Sequence, residues 1–177
     1  AKSVTCGFIG LGSQGAPMAR RMIEAGYDTL LWARREASLE PYRDSAARYA
    51  ATVEELGAQA GHVGLCVVND DDVREMAASL LPVMRPGAVL AIHSTIHPDT
   101  CRAVAAQAAE RGIHVLDAPV SGGSPAAEAG QLTVMVGGEP QVLDLARPVF
   151  ATFAGLIVHL GEVGAGQKLA GRDQAED

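Results

Sequence analysis

Gly10, Gly12 and Gly15 stand at G-x-G-x-x-G spacing, between the apolar run from Val4 to Ile9 and a stretch of helix formers. In that setting each glycine has its own use. The first allows a tight turn, the second lets backbone approach a ligand, and the third lets helix and strand touch. Unpaired N–H groups at a helix start attract an anion. The pattern therefore points to the diphosphate of a dinucleotide, cradled by Gly10, Leu11, Gly12, Ser13, Gln14 and Gly15. The competing reading is a glycine-rich turn of structural use only.

The end of the next apolar run bears on which dinucleotide. An acidic side chain there accepts a bond from a ribose 2′-hydroxyl. This chain has Trp32-Ala33-Arg34-Arg35 and no acid. A guanidinium fork matches a 2′-phosphate in shape and charge. NADP is favoured over NAD, with Arg34 as first contact and Arg35 as second. Two solvated surface arginines are the alternative.

The surrounding elements fit such a site. Val4 to Ile9 reads as a buried strand, Ser13 to Ala25 as a helix striped by Met18, Met22 and Ile23, and Thr29 to Trp32 as a second strand, which completes a βαβ unit. Arg34 to Arg48 is charged and weakly patterned. A very short edge strand is expected within Ala47–Ala51, then a small helix from Thr52 to Leu56. Strands at Val63–Val68, Ala88–Ile92 and Ile113–Leu116 alternate with helices at Asp70–Leu81 and Pro98–Glu110. Residues 118–131 are rich in Pro, Ser, Gly and Ala and read as a loop or loosely helical crossover. A strand at Leu132–Val136, a helix at Glu139–Phe150 and a strand at Leu156–Leu160 follow. The whole predicts an α/β, Rossmann-type, mostly parallel sheet with helices on both faces, most securely over Val4 to Asp117.

Bulk properties agree. The 177 residues are 48% apolar with 20 glycines, and the net charge is -7. The acidic balance and the lack of a basic stripe argue against nucleic-acid binding. Cys6, Cys66 and Cys101 are odd in number and show no metal-ligand spacing, and Cys6 and Cys66 fall within expected buried strands. A reducing compartment and no metal site follow as expectations. No run is long enough to span a bilayer, and residues 1–11 are too short for a signal peptide. A soluble cytoplasmic protein, with no membrane partner, is expected.

Four strings now carry a resemblance. Gly7-Phe8-Ile9-Gly10-Leu11-Gly12-Ser13-Gln14-Gly15-Ala16-Pro17-Met18-Ala19 resembles the opening of the β-hydroxyacid dehydrogenases, the 3-hydroxyisobutyrate dehydrogenase family. So do Asp117-Ala118-Pro119-Val120-Ser121-Gly122-Gly123, Leu132-Thr133-Val134-Met135-Val136-Gly137-Gly138 and Gly164-Ala165-Gly166-Gln167. The resemblance implies hydride transfer between NAD(P) and a small β-hydroxyacid or its semialdehyde. It implies a first domain over residues 1–163, an interdomain helix beginning in 164–177, and an all-helical second domain that builds a homodimer and lies outside this chain. Val68 and Asn69 would pass near the cofactor and Thr95 would lie beside the nicotinamide. Ser121, Gly122 and Gly123 would grip the substrate carboxylate. That last role has a physical basis too, since consecutive N–H groups in a glycine turn cradle anions and Ser121 adds a hydroxyl. Thr95 would equally serve as a cap for the helix near Pro98. The family's usual methionine and aspartate are replaced by Gln14 and His93. Neither His93 nor His97 reads as a catalytic base; both read as structural or surface residues.

The family's proton donor is a lysine in G-x-G-x-x-x-K. Counting from Gly164 puts that role on Ala170, and Lys168 comes two residues early. Two residues turn a helical side chain by roughly 200°. The only other lysine is Lys2, expected near the mouth of the first strand. Lys168 is thus the catalytic candidate, with either a compensated two-residue deletion or residues absent around 167–171. Two rivals stand beside the hydroxyacid reading: an imine or other carbonyl reductase on the same scaffold, and a non-catalytic dinucleotide-binding domain.

Overall fold

The computed structural model describes residues 3–176, with side chains described through residue 171. Lys2 and Asp177 lie outside the described residues. The strands are β1 (Cys6–Ile9), β2 (Thr29–Trp32), β3 (Arg48–Tyr49), β4 (His62–Leu65), β5 (Val89–Ile92), β6 (His114–Asp117), β7 (Val120–Ser121), β8 (Leu132–Gly137) and β9 (Ala154–Gly161). The helices are α1 (Gly15–Glu24), α2 (Val53–Gln59), α3 (Asp70–Leu80), α4 (Pro98–Ala109), α5 (Gly123–Glu128), α6 (Pro140–Phe150) and α7 (Ala165–Glu176). They build one sheet in the order β3-β2-β1-β4-β5-β6-β8-β7, with β9 paired to β8. From β3 to β6 every pairing is parallel, while β8 runs antiparallel to β6 and β7. The strand order reverses beside β1, which pairs with both β2 and β4. In open α/β sheets ligands collect at the carboxyl ends flanking such a reversal.

The sheet is covered on both faces. Phe8, Met18, Met22, Leu31, Phe150 and Phe153 pack on one side. Ile9, Leu30, Leu56, Leu65, Leu80 and Leu90 pack on the other. Successive residues of β1, Phe8 and Ile9, thus feed opposite layers, as the two-residue period of a strand requires. Each such fully buried side chain contributes about 1.5–3 kcal/mol. Two histidines lie inside this core. His93 Nδ1 lies 2.7 Å from the Ala118 carbonyl oxygen, and its ring sits 5.4 and 5.5 Å from Phe150 and Phe153. Burial lowers His93 to about 4, and burial together with His93 lowers His62 to about 3. Both are therefore neutral core residues.

Several expected boundaries shift. β4 stops at Leu65, so Cys66 lies just past the strand and is half-buried, not within it. The 118–131 crossover resolves into β7 and α5. Within the charged stretch, Glu36–Tyr42 forms a 3-10 helix. Tyr42 anchors it: the ring is buried beneath Arg20, and the hydroxyl donates to the Ala16 carbonyl at 2.9 Å. Burial raises the thiols of Cys6 and Cys101 to about 12 and that of Cys66 to about 11, so none is a ready nucleophile. Among the described residues no helix is long and apolar enough to cross a membrane, and no cluster of metal-ligating side chains occurs.

Candidate cofactor and substrate cleft

The glycine turn lies where β1 meets α1. Gly10 has φ +105°, and a Cβ there would strike the Cys66 carbonyl. A Cβ on Gly15 would strike the Gly10 carbonyl. Those two positions admit nothing larger than glycine. Gly12 differs, because a Cβ there meets no atom within 4 Å. Its open side faces a cleft of about 460 Å³ lined by Gly10–Gly12, Trp32–Arg35, Ser38 and Cys66–Val68. α1 begins after Gln14 with no side-chain cap and no acid in its first turn. The Ala16 N–H is bonded to the Gly12 carbonyl at 2.9 Å and Pro17 has none, so the donors open to an anion are those of the turn leading into the helix. Val68 stands on the cleft's rim with 86% of its surface exposed, an apolar contact in search of a flat partner. Room, donors and an apolar rim fit a dinucleotide.

The arginine pair divides. Arg34 reaches across to α3, where its Nη2 lies 2.8 Å from Glu75 Oε2 and 3.8 Å from Asp72 Oδ1. A second, longer bond joins Nη1 to Glu75 Oε1 at 3.4 Å. Arg35 lines the same cleft, and its guanidinium makes no ion pair or hydrogen bond among the described residues. Asn69 does not line the cleft. Its Oδ1 accepts the Asp72 N–H at 2.9 Å and caps α3.

The Ser121–Gly123 loop comes to the turn from far away in sequence. Ser124 Oγ donates to the Ser13 carbonyl at 2.7 Å across a separation of 111 residues. Ser121, Gly122 and Gly123 are exposed, and both glycines have positive φ, +130° and +74°. The Ser121–Gly123 loop thus stands next to the glycine turn.

Thr95 lies half-buried in the loop from β5 to α4. It does not cap α4. That cap is His97, whose Nδ1 accepts the Asp99 N–H at 3.1 Å. Thr95 is instead bracketed by a residue that sequence reasoning missed. The buried Gln167 of α7 accepts the Ile96 N–H at 2.9 Å and donates to the Ser94 carbonyl at 2.7 Å. Asp117 in turn seats α7. Its buried carboxylate accepts from the N–H groups of Gly164 (2.6 Å) and Gln167 (2.9 Å). Burial raises its pKa even though these bonds oppose the rise. Gly137 and Gly166 leave the space it fills. Both Asp117 and Gln167 stand inside the family-like strings, but nothing local in either string signals that one anchors the other.

Lys168 is not brought to this cluster. α7 is regular from its start, with the Lys168 N–H bonded to the Gly164 carbonyl at 3.1 Å. No irregularity there offsets the two-residue shift. The Lys168 side chain is exposed near Asp99 of α4, whose carboxyl is held below its ordinary range chiefly by Arg102, with His97 and Lys168 adding to it. Ala170 occupies the buried face of α7.

A family model described as the NAD binding domain of 6-phosphogluconate dehydrogenase matches residues 5–161. The NAD-dependent L-serine dehydrogenase of Pseudomonas aeruginosa is 40% identical over 172 residues, covering 90% of this chain and 55% of that protein. The solved structure of Mycobacterium tuberculosis 3-hydroxyisobutyrate dehydrogenase with L-serine is 33% identical, with TM-score 0.93 over 97% of this chain and 59% of that one. An imine reductase of Myxococcus stipitatus in complex with NADP+ shares the fold at TM-score 0.90 and 22% identity, over 97% of this chain and 60% of that one. The chain spans little more than half the length of the relatives it matches.

Proposed function

Since the chain belongs to the family of the NAD binding domain of 6-phosphogluconate dehydrogenase, we propose that it is the cofactor-binding part of a dehydrogenase. That enzyme moves a hydride between NADP(H) or NAD(H) and a small β-hydroxyacid or its semialdehyde. The carrying observation is the Ser124–Ser13 bond, which sets an anion-cradling loop beside the glycine turn. One cradle suits a diphosphate and the other a carboxylate.

The nicotinamide, when bound, supplies the hydride chemistry. The chain's own residues bind and orient. Gly10 to Gly15 hold the diphosphate with backbone N–H groups, and Val68 covers an apolar face. Arg35, with Arg34, recognises a 2′-phosphate and favours NADP. Thr95, set by Gln167, stands at the nicotinamide end. Ser121, Gly122 and Gly123 fix the substrate carboxylate. Residues 164–177 open the helix leading to a second, helical domain, and the complete enzyme is a cytoplasmic homodimer. Lys168, in its exposed position, does not reach the reacting carbon, so this polypeptide binds cofactor with little or no turnover.

The position of Lys168 also favours a second reading, reduction of imines on the same scaffold, which needs no lysine in that register. The test is to titrate the chain with NADPH and NADH through the fluorescence of Trp32, the sole tryptophan and a cleft residue. The chain, and a form of it extended by a helical domain, are then assayed with small semialdehydes and cyclic imines. Cofactor binding with turnover of semialdehydes by the extended form supports the first reading. Turnover of imines alone replaces it with the second. Substantial turnover by the 177-residue chain refutes the reading that this polypeptide binds cofactor with little or no turnover.

A further inference from the structure

We propose that Glu75 is a specificity-determining residue for the cofactor: its carboxylate occupies the Arg34 fork that a 2′-phosphate would take. This rests on the dinucleotide reading above and goes beyond it. The sequence shows no acid at the end of β2, which by itself argues for NADP. The fold supplies acids from elsewhere. Asp72 and Glu75 are three residues apart on α3 and so share one face of the helix. Both point at Arg34, 41 residues away from Glu75 in sequence. Glu75 engages both terminal nitrogens of the guanidinium, at 2.8 and 3.4 Å. Those are the donors that would grip a phosphate bidentately.

A 2′-phosphate must therefore displace Glu75 from the fork and then sit beside two carboxylates. A cofactor with a free 2′-hydroxyl leaves the pair intact. The Arg34 and Glu75 side chains are 52% and 58% exposed, so the pair is a weak one. It lowers NADP affinity without forbidding it. Arg35, whose guanidinium has no ion pair among the described residues, remains as a phosphate contact at any stage. The chain is thereby set to accept both cofactors with less discrimination than its two arginines alone would give.

Titration of Trp32 fluorescence with NADPH and NADH, with thermal melts to check folding, tests the assignment. Glu75→Gln keeps the side chain's shape and removes its charge. It should tighten NADPH about five- to tenfold, the equivalent of roughly 1 kcal/mol, and leave NADH within about twofold. In an Arg34→Ala background the same substitution should lose most of its effect, because the fork it competes for is gone. An unchanged NADPH-to-NADH affinity ratio in Glu75→Gln overturns the proposal. So does an equal gain with Arg34 absent, which would mean a general charge effect. If the wild-type chain binds NADH but Arg34→Ala leaves NADPH affinity unaltered, the role of Glu75 falls and the dinucleotide site stands. If the wild type binds neither cofactor, both fall.

Discussion

Two helices leave the same end of the sheet, α1 after β1 and α3 after β4, and their first turns end in opposite ways. α1 has no side-chain cap, no acid in its first turn and empty space beside Gly12. α3 is closed by Asn69 and carries Asp70, Asp71 and Asp72. Each of these acids has a partner. Asp70 accepts from the His97 N–H at 3.1 Å and from Thr100 Oγ1 at 2.6 Å, Asp71 pairs with Arg74 at 3.0 Å, and Asp72 lies 3.8 Å from Arg34. Every helix start carries unpaired donors and a partial positive charge. In α3 the protein answers that charge with its own side chains, and in α1 no side chain does so.

Both helix starts rest on the floor of β1, β4 and β5, and acid should remove that floor. His62 and His93 are depressed to about 3 and about 4 by burial. Unfolded histidines titrate near 6.5, so the unfolded chain binds more protons below that pH. The stability from keeping these rings neutral is complete above pH 6.5 and is lost as pH falls toward the folded values. Between pH 6.5 and 5, above most carboxylate titration, the loss should reach about 3 kcal/mol for the two rings together. Urea melts across that interval check this, and a flat profile would mean that the rings are solvated. Both helix ends should fail together, since the loss is global.

Gly12→Ala separates the two ends. The site has room and no positive φ, so the fold should tolerate the methyl group and the melting temperature should barely move. The methyl would occupy the space assigned to the diphosphate. Affinity for NADH and NADPH alike should drop about a hundredfold, close to 3 kcal/mol by calorimetry. Gly15→Ala, which strikes the Gly10 carbonyl, should lose stability as well as binding. Unaltered binding in Gly12→Ala would move the phosphate away from α1.

The contrast between the two helix starts is partly legible in the amino-acid sequence. The glycine spacing is local, and a turn's backbone needs are written in adjacent residues. The acids at the start of α3 are equally plain, as is the Thr52 cap of α2, which accepts the Glu55 N–H at 3.0 Å. What escapes are pairings across the fold. Arg34 meets Glu75 over 41 residues, and Gln167 holds the loop of Thr95 through Ile96 over 71. No periodicity encodes such contacts. The same limit gives α4 the wrong cap: Thr95 and His97 both precede Pro98 with suitable side chains, and only the loop path selects His97. β7 and α5 escape because short pieces rich in Pro, Ser and Gly lack a repeat long enough to read. For Lys168 the sequence poses the question of register, and the regular start of α7 leaves its side chain exposed near Asp99.

The smallest expected effect bears most directly on the contrast. Asn69→Ala removes the α3 cap and leaves the Asp72 N–H without its Oδ1 partner. Loss of such a cap costs about 1 kcal/mol, readable as a lower urea midpoint. Because Asn69 does not line the cleft, NADH affinity should stay within about twofold. The opposite pattern, an unmoved midpoint with affinity reduced tenfold, would put Asn69 on the cofactor, as its place in the family resemblance implies. α3 would then also present a ligand-binding start, and the division of labour between the two helices would fail. The two readouts separate the roles: the urea midpoint reports the cap made by Oδ1, and NADH affinity reports any contact made by the remaining lone pair or the amide N–H groups.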